Sequence, residues 1–219
     1  MVRVARKQRG GVEAHVVQIL ERAQKRLIGP YQELDGRGYL IPMDPRIGAA
    51  IPLQQTAAKP ATGKVVAAEI ARYGTAMSGP EGKLVQVMGD PDDPEVQAQS
   101  IVFRYSLATS FPEPVHREIA SGSFSISEGE IAARTDLRNL PIVTIDGELA
   151  RDFDDAVCVR KTNGHYELFV SIADVAFYVR SGTAIDQEAY SRATSVYFPD
   201  RAIPMLPEAL SNGICSLNP

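Results

Sequence analysis

Short apolar segments separated by turn residues run through the first part of the chain, from about residue 14 to residue 88. They read HVVQIL, LIGPYQEL, GYLIPM, IGAAIPL, KVVAAEI and KLVQVM. Spacing of this kind is typical of a small all-β barrel or sandwich, and Asp35-Gly36 has the composition of a two-residue hairpin turn. No helical period is sustained here. We therefore predict a β domain over residues 14–90.

Helical spacing replaces this pattern between residues 91 and 133. One helix-like stretch runs from about Glu95 to Ser106, and a second, from Glu113 to Ala120, has a proline in its first turn. Ser127 followed by Glu130 has the spacing of a capping box at the start of a third, shorter helix. We predict a partly ordered helical connector over residues 91–133.

Strand-like and helical segments alternate from residue 134 to residue 219. The apolar runs PIVTID, DAVCVRK and HYELFVSIAD predict strands, and a helix is expected from Ala184 to Arg192. The first of these runs places Asp146 at the end of a strand. This order predicts that an α+β or α/β domain begins in the second half of the chain.

The composition is that of a globular protein, with 44% hydrophobic and 23% charged residues over 219 positions, enough for two ordinary domains. A net charge of −4 argues against a uniformly basic nucleic-acid coat. Residues 1–26 nevertheless hold seven lysines and arginines against two glutamates, a local charge of +5. This basic run is either a solvated surface or a phosphate-facing patch. Its basic members are Arg3, Arg6, Lys7, Arg9, Arg22, Lys25 and Arg26.

Cys158 and Cys215 lie in apolar surroundings without a paired spacing, so we expect small buried side chains in a reducing compartment and no disulfide-linked partner. No apolar stretch approaches the roughly 20 residues that a transmembrane helix needs, and the first residues contain no apolar signal core. We therefore expect a cytoplasmic protein that does not bind membranes.

Four carboxylates, which we call the acidic cluster, fall within ten residues at Asp146, Asp152, Asp154 and Asp155. Two such charges about 4 Å apart repel by roughly 4 kcal/mol at an effective dielectric constant near 20, so a compact arrangement requires a cation. On a regular strand Asp155 would point away from Asp152 and Asp154, so convergence requires a loop or bulge. All-oxygen ligands favour magnesium or manganese over zinc.

Two other interpretations of the acidic cluster stay open on these grounds. A calcium loop of the EF-hand type needs a glycine and then a glutamate at fixed positions, and the continuation Asp155-Ala156-Val157 breaks that pattern. A surface loop that binds nothing is the other alternative. The flanking sequence favours the metal site.

Ordered blocks around the acidic cluster resemble the catalytic (RNB) domain of the bacterial ribonuclease II/R family, with more weight on the ribonuclease R branch. TDLRNLPIVTID ends at Asp146 and is followed by ARDFDDAV. SIADVAFYV, ATSVYFPDR and IPMLPEALSNGICSLNP then follow in the family order. The resemblance implies that residues 134–219 form the amino-terminal part of an α+β RNB domain.

The amino-terminal half is similar to the second cold-shock (OB-fold) domain of that family, with GDPDDP at its exit as the clearest match. Residues 1–13 then resemble the tail of a preceding cold-shock domain, and residues 14–90 an OB-like barrel that binds single-stranded RNA. Arg37 and Tyr39 stand in the segment GRGY, where cold-shock proteins usually carry exposed aromatic residues. Tyr31 and Tyr39 are candidates for RNA contact or for the barrel core, and Arg37 for phosphate contact.

The resemblance also implies roles for residues of the catalytic domain. The four aspartates match the family's acidic residues one for one and would hold Mg2+, or alternatively Mn2+, for two-metal hydrolysis, with Asp154 and Asp155 as catalytic residues. The family degrades single-stranded RNA from the 3′ end to nucleoside 5′-monophosphates. Tyr197 matches an aromatic residue that packs against the terminal nucleotides, although it could also be a core residue.

A full RNB domain is longer than residues 134–219, so the resemblance implies a fragment that lacks a later glutamate, an arginine and a second aromatic residue of the site. We expect the parent protein to be an exoribonuclease and this chain to be an inactive monomeric piece of it. The alternative is a non-catalytic module that binds single-stranded RNA. An acidic calcium-binding surface protein is a more distant third alternative.

Overall fold

The computed structural model describes residues 2–6, 12–22, 25–54, 59–75, 78–122, 124–148 and 150–218, with side chains described for all of these except 2–6, 12 and 13. The chain divides into two compact units, Met1–Leu107 and Ala108–Pro219. The boundary between them lies within the segment predicted as a connector. The first predicted helix of that segment therefore belongs to the first unit, and the other two belong to the second.

The first unit consists of β-strands followed by one helix. Its elements are β1 (Val2–Arg6), β2 (Val12–Val16), β3 (Arg26–Leu34), β4 (Arg37–Leu40), β5 (Ile51–Pro52), β6 (Val65–Arg72), β7 (Glu81–Gly89) and α1 (Pro94–Tyr105). Strands β1 and β2 pair only with each other within the described residues, and the remaining five form an antiparallel sheet in the order β5-β4-β3-β6-β7.

The two edge strands of this sheet meet and close it into a barrel. Leu53, just after β5, bridges Gly82 in β7, and the amide of Gln54 donates to the carbonyl of Gly82 at 2.8 Å. A Cβ atom at Gly82 would lie 2.9 Å from the Leu53 side chain, so the absence of a side chain permits the closure. The predicted OB-like barrel is confirmed.

Inside the barrel, apolar side chains from every strand of the sheet form one core. Leu27, Leu40, Ile51 and Val66 are almost completely buried there. Burial of such side chains contributes roughly 1.5–3 kcal/mol each relative to exposure. The barrel therefore has a core built entirely from its own residues.

The hairpin predicted at Asp35-Gly36 is confirmed. Leu34 pairs with Arg37 across a two-residue turn in which Asp35 and Gly36 have φ angles of 51° and 75°. Two consecutive positive φ angles define the type I′ turn, whose twist matches that of the flanking strands. A second turn of this kind at Asn163-Gly164 has φ angles of 51° and 84°.

Helix α1 confirms the helix predicted from Glu95 to Ser106, within one residue at each end. The Asp93 side chain accepts from the Glu95 amide at 2.9 Å and caps the start of the helix. Ser106 adopts a left-handed conformation and ends it. Val96 packs against Ile28 of the barrel, so this helix covers the outer face of the sheet.

The second unit contains short helices and two separate two-stranded sheets among its described residues. Its elements are α2 (Glu113–Ser121), α3 (Glu128–Ala133), β8 (Asp155–Thr162), β9 (His165–Ile172), α4 (Val175–Tyr178), α5 (Ala184–Arg192), β10 (Val196–Tyr197), β11 (Ala202–Ile203) and a π-helical turn (Leu210–Ile214). The predicted capping box is confirmed, because Ser127 and Glu130 exchange hydrogen bonds of 2.6 and 3.2 Å at the start of α3.

A core around α2, α5 and the carboxyl-terminal segment holds this unit together. Val115, Ile185, Leu206, Leu210 and Cys215 are buried in it. Cys158, on strand β8, is also buried, so both cysteines have buried side chains, as predicted.

The prediction of a strand over residues 141–146 is wrong. Only Val143 pairs in this segment, exchanging hydrogen bonds of 3.0 and 2.8 Å with Val157, and no regular strand is present there. Ile145 is 82% exposed, so the apolar run is not buried as its pattern suggested. A strand requires a neighbouring strand along its length, and an apolar run does not reveal whether one exists. Asp146 therefore lies in an irregular segment and not at a strand end.

Candidate functional site

The acidic cluster lies in an irregular loop that leads into β8. Asp146 follows the Val143 bridge by three residues. Asp152 and Asp154 lie three residues and one residue before Asp155, the first residue of the strand. Asp146, Asp154 and Asp155 are exposed, whereas Asp152 is half-buried. The loop anticipated from the strand geometry is thus present.

Hydrogen bonds to neighbouring segments hold the loop in place. The Ala173 amide donates to the Asp154 carbonyl at 2.9 Å and extends the pairing of β8 with β9 by one step. On the other side, the Ser216 hydroxyl and the Leu217 amide bind the peptide groups of Phe153 at 2.9 Å each. The backbone around Asp152 and Asp154 is therefore supported from two directions.

The charges of the cluster act on one another. The pKa of Asp154 is raised above its ordinary value, first because burial disfavours the charged carboxylate and then because Asp152, Asp146 and Asp155 add negative charge around it. Negative potential is thus concentrated on Asp154. This is the electrostatic condition under which a cation is bound most favourably.

The donors offered by this loop are carboxylate oxygens, which suit hard divalent cations such as Mg2+ and Mn2+. Within the described part of the chain, no three acidic, histidine or cysteine side chains converge closely enough to hold a metal ion. The residue types fit the chemistry of the ion, and Asp152, Asp146 and Asp155 each contribute to the raised pKa of Asp154.

Tyr197 reaches the acidic cluster from the β10–β11 hairpin. Its hydroxyl donates to Oδ2 of Asp152 at 2.5 Å, while its side chain is 66% exposed. The hydrogen bond to Asp152, followed by burial, raises the pKa of the Tyr197 phenol. The structure therefore does not place Tyr197 in the core, the other possibility for this residue, and brings it to the predicted metal site.

Asp174, another carboxylate of this unit, has a different partner. It pairs with the Arg134 guanidinium at 2.7 Å and is not among the residues that raise the pKa of Asp154. Ser216, by contrast, touches the acidic loop but has no feature in the sequence that marks it. The hydrogen bond between Ser216 and Phe153 joins residues that are 63 positions apart in the sequence.

The predicted RNA-contacting residues of the barrel divide into two groups. The expected RNA contact of Tyr31 is corrected, because the Tyr31 side chain is only 3% exposed and packs in the barrel core. The backbone of Gly38 covers the Tyr31 ring directly, because a Cβ atom at Gly38 would lie only 2.7 Å from that ring. Arg37 is exposed and Tyr39 is half-buried.

Arg37 lines a cleft of about 540 Å³ at the hairpin end of the barrel, together with Gln54, Lys59 and Glu81. Its guanidinium lies 3.7 Å from the Glu81 carboxylate, and Lys59 pairs with Glu33 at 2.7 Å. Both basic groups are thus partly neutralised. The cleft is polar, and a polyanion would have to displace these carboxylates to reach the basic groups.

The basic run at the start of the chain falls partly outside the described side chains, which include Arg22, Lys25 and Arg26. Arg22 stacks over Tyr73, and Lys25 pairs with Glu21 at 2.7 Å. Arg26 stacks over Phe103 and donates to Ser106. These three groups make contacts within the protein.

Comparison with known families matches both halves of the chain. The RNB domain family matches residues 134–219, and the cold shock domain family matches residues 39–112. In the described residues, no helix has the length and apolar character needed to cross a membrane.

Individual relatives extend the match to nearly the whole chain. Ribonuclease R of Acidithiobacillus ferrooxidans is 43% identical over 219 residues, which cover 99% of this chain and 50% of the relative. Ribonuclease R of Thermotoga maritima is 45% identical over 215 residues, covering 95% of this chain and 30% of the relative. The chain thus spans half or less of the length of these two relatives.

A solved structure agrees with these sequences. Mycoplasma genitalium RNase R in complex with ribose methylated single-stranded RNA superimposes with a TM-score of 0.77 at 29% identity, over 100% of this chain and 36% of that one.

Proposed function

This chain belongs to the ribonuclease II/R family, with a cold shock domain followed by part of an RNB domain, and on that premise we propose that it is part of a metal-dependent exoribonuclease. The reaction is hydrolysis of single-stranded RNA from the 3′ end to nucleoside 5′-monophosphates. The proposal is supported by the acidic loop that leads into β8 and by the hydroxyl of Tyr197, which donates to Asp152 at 2.5 Å.

In this proposal Asp146, Asp152, Asp154 and Asp155 hold Mg2+, with Mn2+ as a substitute. Bound divalent ions supply activation of the attacking water and stabilisation of the departing 3′ oxygen. The protein's part is to carry the four carboxylates in and beside one supported loop. Burial and the three neighbouring aspartates raise the pKa of Asp154, and a cation bound beside it would offset both effects.

Tyr197 has a positioning role in the same site. Its hydroxyl is tied to Asp152, which leaves the exposed ring beside the acidic loop. An exposed aromatic ring stacks on a nucleobase with a gain of about 1–3 kcal/mol per base. We assign the last base of the RNA to this ring, because it lies beside the residues that would cleave the terminal bond.

RNA contact by the first unit rests on Arg37 and Tyr39. Both lie on β4, where the guanidinium can meet a phosphate and the ring can meet a base. Support comes from the similar Mycoplasma genitalium RNase R, which has been solved in complexes with single-stranded and double-stranded RNA. Tyr31 takes no part, because it is buried.

The deciding experiment measures release of mononucleotides from a single-stranded RNA by the parent protein, with and without Mg2+. Asp154→Asn should lower the rate by at least about 100-fold, since loss of partners outside the metal shell alone costs 10–100-fold. Asp186→Asn is the matched control, because it removes the same charge in the same unit and an asparagine can still accept from the Gly182 amide.

Release that is indifferent to chelator, or that persists in Asp154→Asn, would rule out the metal mechanism. RNA binding without any release by the parent protein would instead identify a non-catalytic RNA-binding module. Equal losses in Asp154→Asn and Asp186→Asn would point to a general effect of charge and not to the acidic cluster.

A further inference from the structure

The Ser216 hydroxyl lies between the two peptide groups that flank Asp152. It accepts a hydrogen bond from the Phe153 amide at 2.9 Å and donates one to the Arg151 carbonyl at 3.2 Å. A serine hydroxyl has one proton to donate and lone pairs with which to accept, so one group can satisfy both contacts. Asp152 is therefore held at its amino and carboxyl sides by the same atom.

Neighbouring contacts extend this support from Asp152 to Asp154. The Leu217 amide donates to the Phe153 carbonyl at 2.9 Å, and the Ala173 amide donates to the Asp154 carbonyl at the same distance. Residues 151–154 form no regular secondary structure and depend on these outside partners. The direction in which Asp152 and Asp154 project is thus decided by residues distant in sequence.

The segment that carries Ser216 is itself fixed to the core of the second unit. Cys215 is buried beside Leu210, and its amide donates to the Leu210 carbonyl at 2.9 Å. The Ser216 amide donates to the Gly213 carbonyl at 3.0 Å. A continuous series of contacts therefore leads from the buried core, through Ser216, to the acidic loop.

We propose that Ser216 is a positioning residue that sets Asp152 and Asp154 in the direction needed to bind a divalent cation. The inference rests on the proposed function for the identity of the ligand, but the clamp itself is defined by contacts present without a metal. Groups that orient metal ligands from outside the coordination shell affect metal affinity about 10- to 100-fold.

The test compares Ser216→Thr with Ser216→Val in the 219-residue chain. These side chains have nearly the same shape, and only threonine keeps the hydroxyl. Hydrogen exchange of the Phe153 amide is measured without metal, and Mn2+ affinity is measured by calorimetry. Ser211→Ala serves as the control, because that hydroxyl contacts Asn212 within the π-helical turn and not the acidic loop.

We expect threonine to preserve amide protection and Mn2+ affinity, and valine to lower each by about 10-fold or more. In the parent protein, valine should reduce kcat for RNA hydrolysis more than it changes KM, because RNA-binding residues are untouched. Equal protection and affinity in the two variants, or equal loss in both, would refute the role of the hydroxyl.

If the proposed function is wrong, the experiment gives a result that differs from the one expected if the role of Ser216 is wrong. If the parent protein and the wild-type chain bind no Mn2+, the metal mechanism fails, whereas the exchange difference between threonine and valine still decides whether Ser216 orders the loop. A loss of protection in Ser211→Ala as large as in Ser216→Val would also count against the proposal, since it would reflect loosening of the whole segment.

Discussion

The five-stranded sheet of the first unit and the β8-β9 sheet of the second unit differ in how completely they are enclosed. In the first unit, the bridge between Leu53 and Gly82 joins the edge strands, and the barrel surrounds its own core. In the second unit, β8 and β9 pair only with each other apart from the bridge at Val143, within the residues described. One sheet is closed, and the other is a two-stranded ribbon.

One face of this ribbon is apolar and open to solvent. Val159 pairs with Leu168, and Asp155 at the end of β8 pairs with Ile172. Leu168 and Ile172 are 64% and 66% exposed, as on a surface that normally meets another apolar surface. The barrel thus encloses a core of its own residues, whereas the acidic loop ends at the first residue of a sheet with one open face.

The largest effect is expected from Gly29→Ala in the barrel. A Cβ atom at Gly29 would lie 1.7 Å from the Ile41 carbonyl oxygen, which is backbone and cannot turn aside. Overpacking costs about 1–3 kcal/mol and occasionally more, and we expect this clash to exceed that range and abolish barrel folding. Circular dichroism during denaturation measures the loss.

Gly79→Ala is the control for this substitution, because no atom lies within 4 Å of its Cβ position. It should leave the transition unchanged. Retention of a cooperative barrel transition in Gly29→Ala would contradict the packing described here. Loss of the second unit's structure in the same variant would contradict the view that the barrel is an independent unit.

A smaller but still large effect is expected from Leu210→Ala in the core of the second unit. Leu210 is completely buried, so its truncation should cost about 2–5 kcal/mol. Leu168→Ala, on the open face of the ribbon, should change the free energy of unfolding by no more than about 0.5 kcal/mol. Denaturant titration compares the two.

Equal costs for Leu210→Ala and Leu168→Ala would show that the ribbon face is covered in solution. That result would remove the difference between the two sheets. A small cost for both would show instead that the core around Leu210 contributes little.

Asp154→Asn is expected to stabilise the metal-free chain by a few degrees in Tm at neutral pH. The pKa of this carboxyl is raised in the folded protein, so its ionised form disfavours folding, and the penalty grows as pH rises through the folded pKa. Asparagine removes the charge and the penalty. Thermal melts at pH 4 and pH 7 check this, since the benefit should shrink at the lower pH.

Addition of Mg2+ should reverse the order by stabilising the wild-type chain more than Asp154→Asn. No stabilisation of the metal-free chain at any pH would contradict the electrostatic description of the loop.

The smallest effect concerns the pH dependence of the barrel unit. Asp44 accepts hydrogen bonds from Arg46 and from Arg104, and the Arg46 contacts hold the pKa of that carboxyl well below its usual range. A depressed pKa contributes stability that is present above the ordinary aspartate pKa near 4 and is lost as pH falls through the folded value. Asp44→Asn should therefore flatten the fall in barrel stability below about pH 4. An unchanged pH profile would show that the pair contributes nothing measurable.

Interactions between residues a few positions apart were predictable from sequence. The turn at Asp35-Gly36, the capping box of Ser127 and Glu130, and the helix that begins after Asp93 depend on local backbone preferences and short-range hydrogen bonds. The domain order and the identity of the acidic residues also come from sequence, since they rest on residue types in a fixed order. The assignment of the site and the domain limits stay predictions.

Long-range packing decided the rest. Tyr31 and Tyr39 have the same chemistry, and only the fold of the barrel buries one and leaves the other partly exposed. The predicted strand over residues 141–146 has a partner only at Val143. Tyr197 lies 45 positions from Asp152 and Ser216 lies 63 from Phe153, yet both contacts shape the site. Residue spacing encodes neighbours along one helix or strand, whereas these contacts exist only once separate segments pack together.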